Sequence, residues 1–273
     1  MKKTIAIATG ILFLGATISF AGSEVKGRVS NKTIVNKSAN VAVGAGAEAN
    51  TGSVKIKNSN VRGTVSNRSL VNKSANVAVG RGATANMGSV QLKNSNVRGS
   101  VSNRALVNKS ANVAVGRGAT ANMGSVQLKN SNVRGSVSNR ALVNKSANVA
   151  VGRGATANMG SVQLKNSNIR GSVSNRALVN KSANVAVGRG ATANMGSVQL
   201  KNSNVRGSVS NRALVNKSAN VAVGRGATAN MGSVQLKNSN IRGSVSNRAL
   251  VNKSANVAVG RNAEANMGSV VVK

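Results

Sequence analysis

The string Val-Asn-Lys-Ser-Ala-Asn-Val-Ala-Val-Gly begins at Val35, Val71, Val107, Val143, Val179, Val215 and Val251. It recurs every 36 residues without insertion. A fixed period in this range restricts the chain to a solenoid, a propeller or an array, because one unit cannot bury its apolar face alone. Units start near residues 26, 62, 98, 134, 170, 206 and 242, and residues 22–273 span seven full periods.

Each unit reads as short strands. Ala119, Ala121 and Met123 alternate with Thr120 and Asn122, Val126 and Leu128 alternate with Gln127 and Lys129, and Val113 and Val115 flank Ala114. Such period-two patterning is that of half-buried strands. Gly99, Gly116, Gly118 and Gly124 punctuate it as corners. Gly, Asn, Ser and Val are poor helix formers. Propeller blades run to about 40–50 residues with aromatic signatures, and the only aromatics here are Phe13 and Phe20. The expected fold is all-β, a parallel β-solenoid (β-helix) of seven 36-residue repeats. Val101, Val107, Val113 and Ala119 are six apart, and Asn112, Asn130 and Asn148 are eighteen apart. Two coils per repeat are therefore expected, with one larger coil as the alternative. A solenoid core is thin, so Val, Ala, Leu, Met and Ser fill it without aromatics. Asn recurring in register suits stacked amide ladders or left-handed turn positions. Disorder is the competing state, favoured by a net charge of +35; the regular Val/Leu alternation opposes it.

The chain has no His, Cys or Asp, and its only acids are Glu24, Glu48 and Glu264. It therefore lacks an imidazole base, a thiol nucleophile and a zinc ligand set. The composition points away from an enzyme and implies no cofactor and no metal. Lys2 and Lys3, the apolar run Ile5 to Ile18 and Ser19-Phe20-Ala21 have the layout of a secretory signal peptide over residues 1–21. Residues 22–273 are then the exported repeat domain of a bacterium, extracellular or at the cell surface, and the array is expected to be the whole exported product.

Five cations recur in each internal unit: Arg98, Arg104, Lys109, Arg117 and Lys129, then Arg134, Arg140, Lys145, Arg153 and Lys165. A solenoid aligns each into a column. Like charges stacked this closely repel, and salt screens only beyond about 8–10 Å. A polyanion relieves the repulsion and releases counterions. Extracellular DNA, lipopolysaccharide and acidic polysaccharide are the expected partners, read by charge and spacing. Without aromatics, base stacking is disfavoured. The end units differ from the middle. Glu48 and Glu264 stand where internal units have Thr84, Thr120, Thr156, Thr192 and Thr228, and Ala45 stands in the column of Arg81 and Arg117. Solenoid end repeats have one open face, so Glu48 and Glu264 are candidate end-stacking residues that pair with cations of the next chain.

The stretch Asn-Val-Ala-Val-Gly-x-x-Ala-x-Ala-Asn, as at Asn112 to Asn122, resembles the head repeat of YadA-type trimeric autotransporter adhesins. That resemblance implies a left-handed parallel β-roll. A leader followed by Gly/Asn/Ser-rich repeats is similar to bacterial functional amyloids such as curli and Fap subunits. That likeness implies self-stacking into an extracellular fibre or biofilm matrix, with a secretion pore or nucleator as a further partner. The expected function is a secreted subunit that forms or decorates a filament by end-to-end β-stacking and binds polyanions. The alternative is a discrete polyanion-binding rod or adhesin. An ice or mineral binder is disfavoured, because each internal unit has a single Thr on the relevant strand.

Overall fold

The computed structural model describes residues 22 and 24–273 in full, and of residues 1–21 only the backbone of 4–5, 12–14 and 18–21. The leader assignment falls largely outside these described residues.

Strands pair in parallel, each residue with its own copy 36 positions away. Val101–Asn108 lies between Val65–Asn72 and Val137–Asn144, Val over Val and Asn over Asn. One coil contains Asn96–Val97, Val101–Asn108, Ala111–Val115, Thr120–Met123 and Val126–Lys129. Stacked coils convert these into five parallel sheets. The fold is the expected parallel β-solenoid, but each repeat is one coil of 36 residues, not two of 18. Asn112 stacks on Asn148, and Asn130 on Asn94; Asn112 and Asn130 never pair. The reason lies in the two halves of the unit. One carries a straight eight-residue strand, whereas the other is broken by glycine corners into strands of four residues. They cannot lie on one another in register. Seven coils spaced ~4.8 Å apart make a rod of about 34 Å.

The core tapers. Its wide end is filled by Val97, Val101, Val126 and Leu128 and their copies. Val107 and Met123 occupy the middle. The apolar side chains of the narrow end are only methyl groups, from Ala114, Ala119 and Ala121. There the strands Ala111–Val115 and Thr120–Met123 close tightly enough for Asn112 Nδ2 to donate to the Asn122 carbonyl at 3.2 Å. This reverses the simplest reading of Asn-Val-Ala-Val. Asn112 and Ala114 point inward and are fully buried, while Val113 and Val115 face outward and are half-buried. Valine is too large for the narrow end. Asn112 Nδ2 also donates to Asn148 Oδ1 at 2.8 Å, and Asn112 Oδ1 accepts from Asn76 Nδ2 at 2.8 Å, so its buried amide is satisfied.

Three buried asparagine ladders, through Asn103, Asn112 and Asn122, run the length of the rod. The first two donate toward the C-terminal end and the third toward the N-terminal end. Asn130 serves as both ladder and turn, since it has φ 49° and bonds Asn94 Oδ1 at 3.2 Å.

Glycine is required where coils touch backbone to backbone. A Cβ on Gly152 would lie 1.9 Å from the Gly116 carbonyl oxygen, whereas one on Gly154 would meet nothing within 4 Å. Both have positive φ. Gly154→Ala should therefore cost about 1–2 kcal/mol, the left-handed penalty alone. Gly152→Ala should cost clearly more, because a coil must shift off its neighbour. Denaturant melts followed by the β-sheet circular dichroism signal check the order; equal losses would contradict this stacking.

Candidate polyanion surface and coil ends

The cationic side chains are placed by strand alternation and by corner bonds. In Val101–Asn108, inward Val101, Asn103, Ala105 and Val107 leave Ser102, Arg104 and Leu106 outward. Arg104 therefore stacks on Arg140 and its copies. Lys129 ends its strand in register with Lys165. The other three cations sit at corners. The Arg98 N–H donates to the Val61 carbonyl at 2.9 Å, and the Lys109 N–H to the Asn144 carbonyl at 3.0 Å. The Arg117 carbonyl accepts from the Gly82 N–H at 2.7 Å. All five are exposed, as are Arg134, Arg140, Lys145, Arg153 and Lys165 one coil on.

The columns form, but they are distributed around the whole perimeter instead of gathering on one face. The long strand carries Arg104 and its end corner carries Lys109. The narrow tip carries Arg117. The wide end carries Lys129 and Arg98 on either side of the Asn96–Val97 strand. At this wide end a groove of about 580 Å³ runs along the axis, lined by Asn96, Arg98, Asn132, Arg134, Asn168 and Arg170. Asn132 Nδ2 donates to Asn96 Oδ1 and Asn96 Nδ2 to Asn60 Oδ1, both at 3.1 Å, so an amide ladder runs beside the arginine column over these three coils, while further along Asn204 Oδ1 is buried without a partner among the described residues. Charge patterning alone does not single out Asn96. Its signal is Asn-Val-Arg or Asn-Ile-Arg recurring every 36 residues from Asn60 to Arg242, which sets amide and guanidinium two residues apart on one side of a strand.

Glu24 Oε1 lies 2.8 Å from Arg62 Nε at the first step of this groove. Among the described residues, the arginines beyond it have no carboxylate partner. Neighbours ~4.8 Å apart are well inside the screening length of about 8 Å at physiological salt. A bound row of phosphate, sulfate or carboxylate groups would neutralise them with charge-assisted hydrogen bonds.

The end glutamates are paired within their own coils. Glu48 pairs with Lys55, which replaces the glutamine of the internal coils, and Glu264 pairs with Lys273. Neither glutamate needs a cation from another chain. Among the described residues, no cluster of His, Cys, Asp or Glu could hold a metal ion.

Comparison with protein-family models, curated proteins and solved structures gives no match to this chain.

Replacing Arg62, Arg98, Arg134, Arg170 and Arg206 with Gln should flatten the salt dependence of duplex DNA binding. The log–log slope should fall by up to about 4.5, at ~0.9 for each phosphate that is no longer neutralised. Anisotropy titrations across a salt series measure it. An unchanged slope would remove the groove from the interface.

Proposed function

We propose that the protein is a secreted structural subunit that stacks end to end into an extracellular filament or matrix, whose cationic columns bind polyanions. The observation that carries this reading is the open final coil. Inward positions of Val245–Asn252 are only half-buried, whereas those of Val209–Asn216, one coil earlier, are fully buried. Val270 and Val272 are 48% and 71% exposed. Among the described residues this is an unpaired parallel edge of five strands over an uncovered core, the kind of surface that templates another chain.

The buried asparagine columns at the two ends match. In continued register, Asn247 would lie against Asn31 of the next molecule, Asn256 against Asn40, and Asn266 against Asn50. All three buried ladders would cross the junction without interruption. Arg261 would meet Ala45, which removes one arginine repulsion at the seam. The first coil's edge pairs with residues 4–5, 12–14 and 18–21, so in this reading stacking on that end follows leader removal.

One observation favours the discrete rod. The same register sets Glu264 opposite Glu48, and like charges directly opposed are destabilising. Their partners Lys55 and Lys273 decide the balance. With both lysines present, the seam holds two ion pairs. Lys55→Gln with Lys273→Gln leaves two bare carboxylates facing each other. We expect wild-type light scattering to grow with concentration without any polyanion, and the double variant to need a severalfold higher concentration. A variant that assembles like wild type would show that the ends do not meet in this register. A wild type that never assembles would leave the discrete polyanion-binding rod.

A further inference from the structure

The long-strand face contains a feature that neither stacking nor charge neutralisation uses. Next to the Arg104 column, two residues along and on the same side of the strand, runs a column of leucines. Leu70, Leu106, Leu142, Leu178 and Leu214 are each 37–39% exposed, and Ile34 and Leu250 extend the column to both ends. Cation and aliphatic side chains repeat together in every coil: Lys32 with Ile34, Arg68 with Leu70, and so on to Arg248 with Leu250. Between the two columns lies a groove of about 800 Å³ that runs the whole length of the rod.

Nothing in the fold requires leucine there. Its side chain points away from the core clusters, and Ser102 and Asn108 on the same face show that polar residues fit this strand. A purely hydrophilic polyanion, such as nucleic acid or polyphosphate, would use the arginines and leave the leucines wet. A second copy of the chain would cover the leucines but would press two arginine columns together. The internal coils have no acid to offset them. The occupant that complements both columns has an anionic head and an aliphatic body.

We infer that this face docks the rod lengthwise on an anionic lipid surface, with lipid phosphates on the Arg68–Arg248 column and acyl chains against the leucine column. The inference rests on the proposed function only for the Arg68–Arg248 column and is independent of the other cationic columns and of end-to-end stacking. Binding of this kind combines buried apolar area with attraction to anionic lipid. Salt therefore weakens it less than it weakens binding to a soluble polyanion.

The chain has no Trp or Tyr, so Leu142→Trp introduces a single fluorescent reporter on the face. We expect its emission to shift to the blue with vesicles of phosphatidylglycerol and phosphatidylcholine in equal parts. We expect no shift with phosphatidylcholine alone or with inorganic polyphosphate. An unshifted emission on the anionic vesicles would overturn the inference, as would an equal shift on phosphatidylcholine. The second arm replaces Leu70, Leu106, Leu142, Leu178 and Leu214 with Thr, a strand-compatible residue, with folding checked by circular dichroism. Flotation with the anionic vesicles should weaken at least about tenfold as the buried apolar area shrinks, while polyphosphate affinity stays within about twofold, because the arginines that hold phosphate are kept. Equal weakening of both, or of neither, would assign the leucines no role at the lipid surface. If wild type fails to bind polyphosphate but binds the vesicles, the charge reading of the other columns falls while the lipid face stands. Should the fivefold variant not fold, the single-site reporter decides alone.

Discussion

Every residue in this rod sits ~4.8 Å from its own copy, and that single constraint selects which side chains each position can hold. Methyl and aliphatic groups tolerate their own copies, so Val101, Ala114, Met123 and Leu128 form continuous apolar columns. Asn, Gln and Ser carry both a donor and an acceptor and can bond themselves indefinitely. Asn112, Asn122 and Gln127 each bond their own copy one coil away at 2.8 Å, and the Ser89 Oγ accepts from the Ser125 backbone N–H at 3.2 Å. A charge has no such solution. Carboxylates appear only in the first and last coils, each with a cation beside it. The cationic columns are the one class of side chain that stacks against its own preference, and for that reason they point to something outside the chain.

The same rule explains how the columns end. The glutamine ladder donates from Gln91 through Gln127 to Gln235 and stops at Lys55 on one side and Val271 on the other. The three buried asparagine ladders instead run into both terminal coils. The ends are thus altered on the surface columns, and in the first coil also in the core, where buried Thr33 and Thr51 stand in the columns of Ala105 and Met87, while the buried amide ladders continue. A head-to-tail seam would keep its buried asparagine ladders continuous while its rim changes character from hydrogen-bonded amide to ion pair.

Much of this architecture is legible in the sequence, because the period alone forces stacking of like on like. Strand patterning, glycine corners and cation columns follow from the same 36-residue step. The coil count does not. The regular spacing of Val101, Val107, Val113 and Ala119 suggests a finer repeat, yet Val113 faces solvent and Asn112 the core. Inward direction in Ala111–Val115 is set by the width available between two alanine-lined sheets, which pairwise hydrophobicity does not encode. The left-handed backbone of Lys109 and its copies, with φ near 50°, is equally hidden, since lysine carries no turn signature; its conformation is imposed by the corner and by the Asn144 carbonyl it bonds. The wide-end groove is not legible either, because Asn96 and Arg98 are separated from the other cations by corners whose geometry only the folded coil displays.

The proposed filament requires one coil per repeat, stacked without interruption from one molecule to the next. Electron microscopy with layer-line analysis of the purified protein, freed of nucleic acid and held in physiological salt, tests it most directly. The expected result is filaments with a strong spacing near ~4.8 Å along the axis and a weaker axial repeat of about 34 Å, the height of seven coils at that spacing. An axial repeat of about 65 Å would restore two coils per unit, and isolated short rods at every concentration would contradict stacking between molecules.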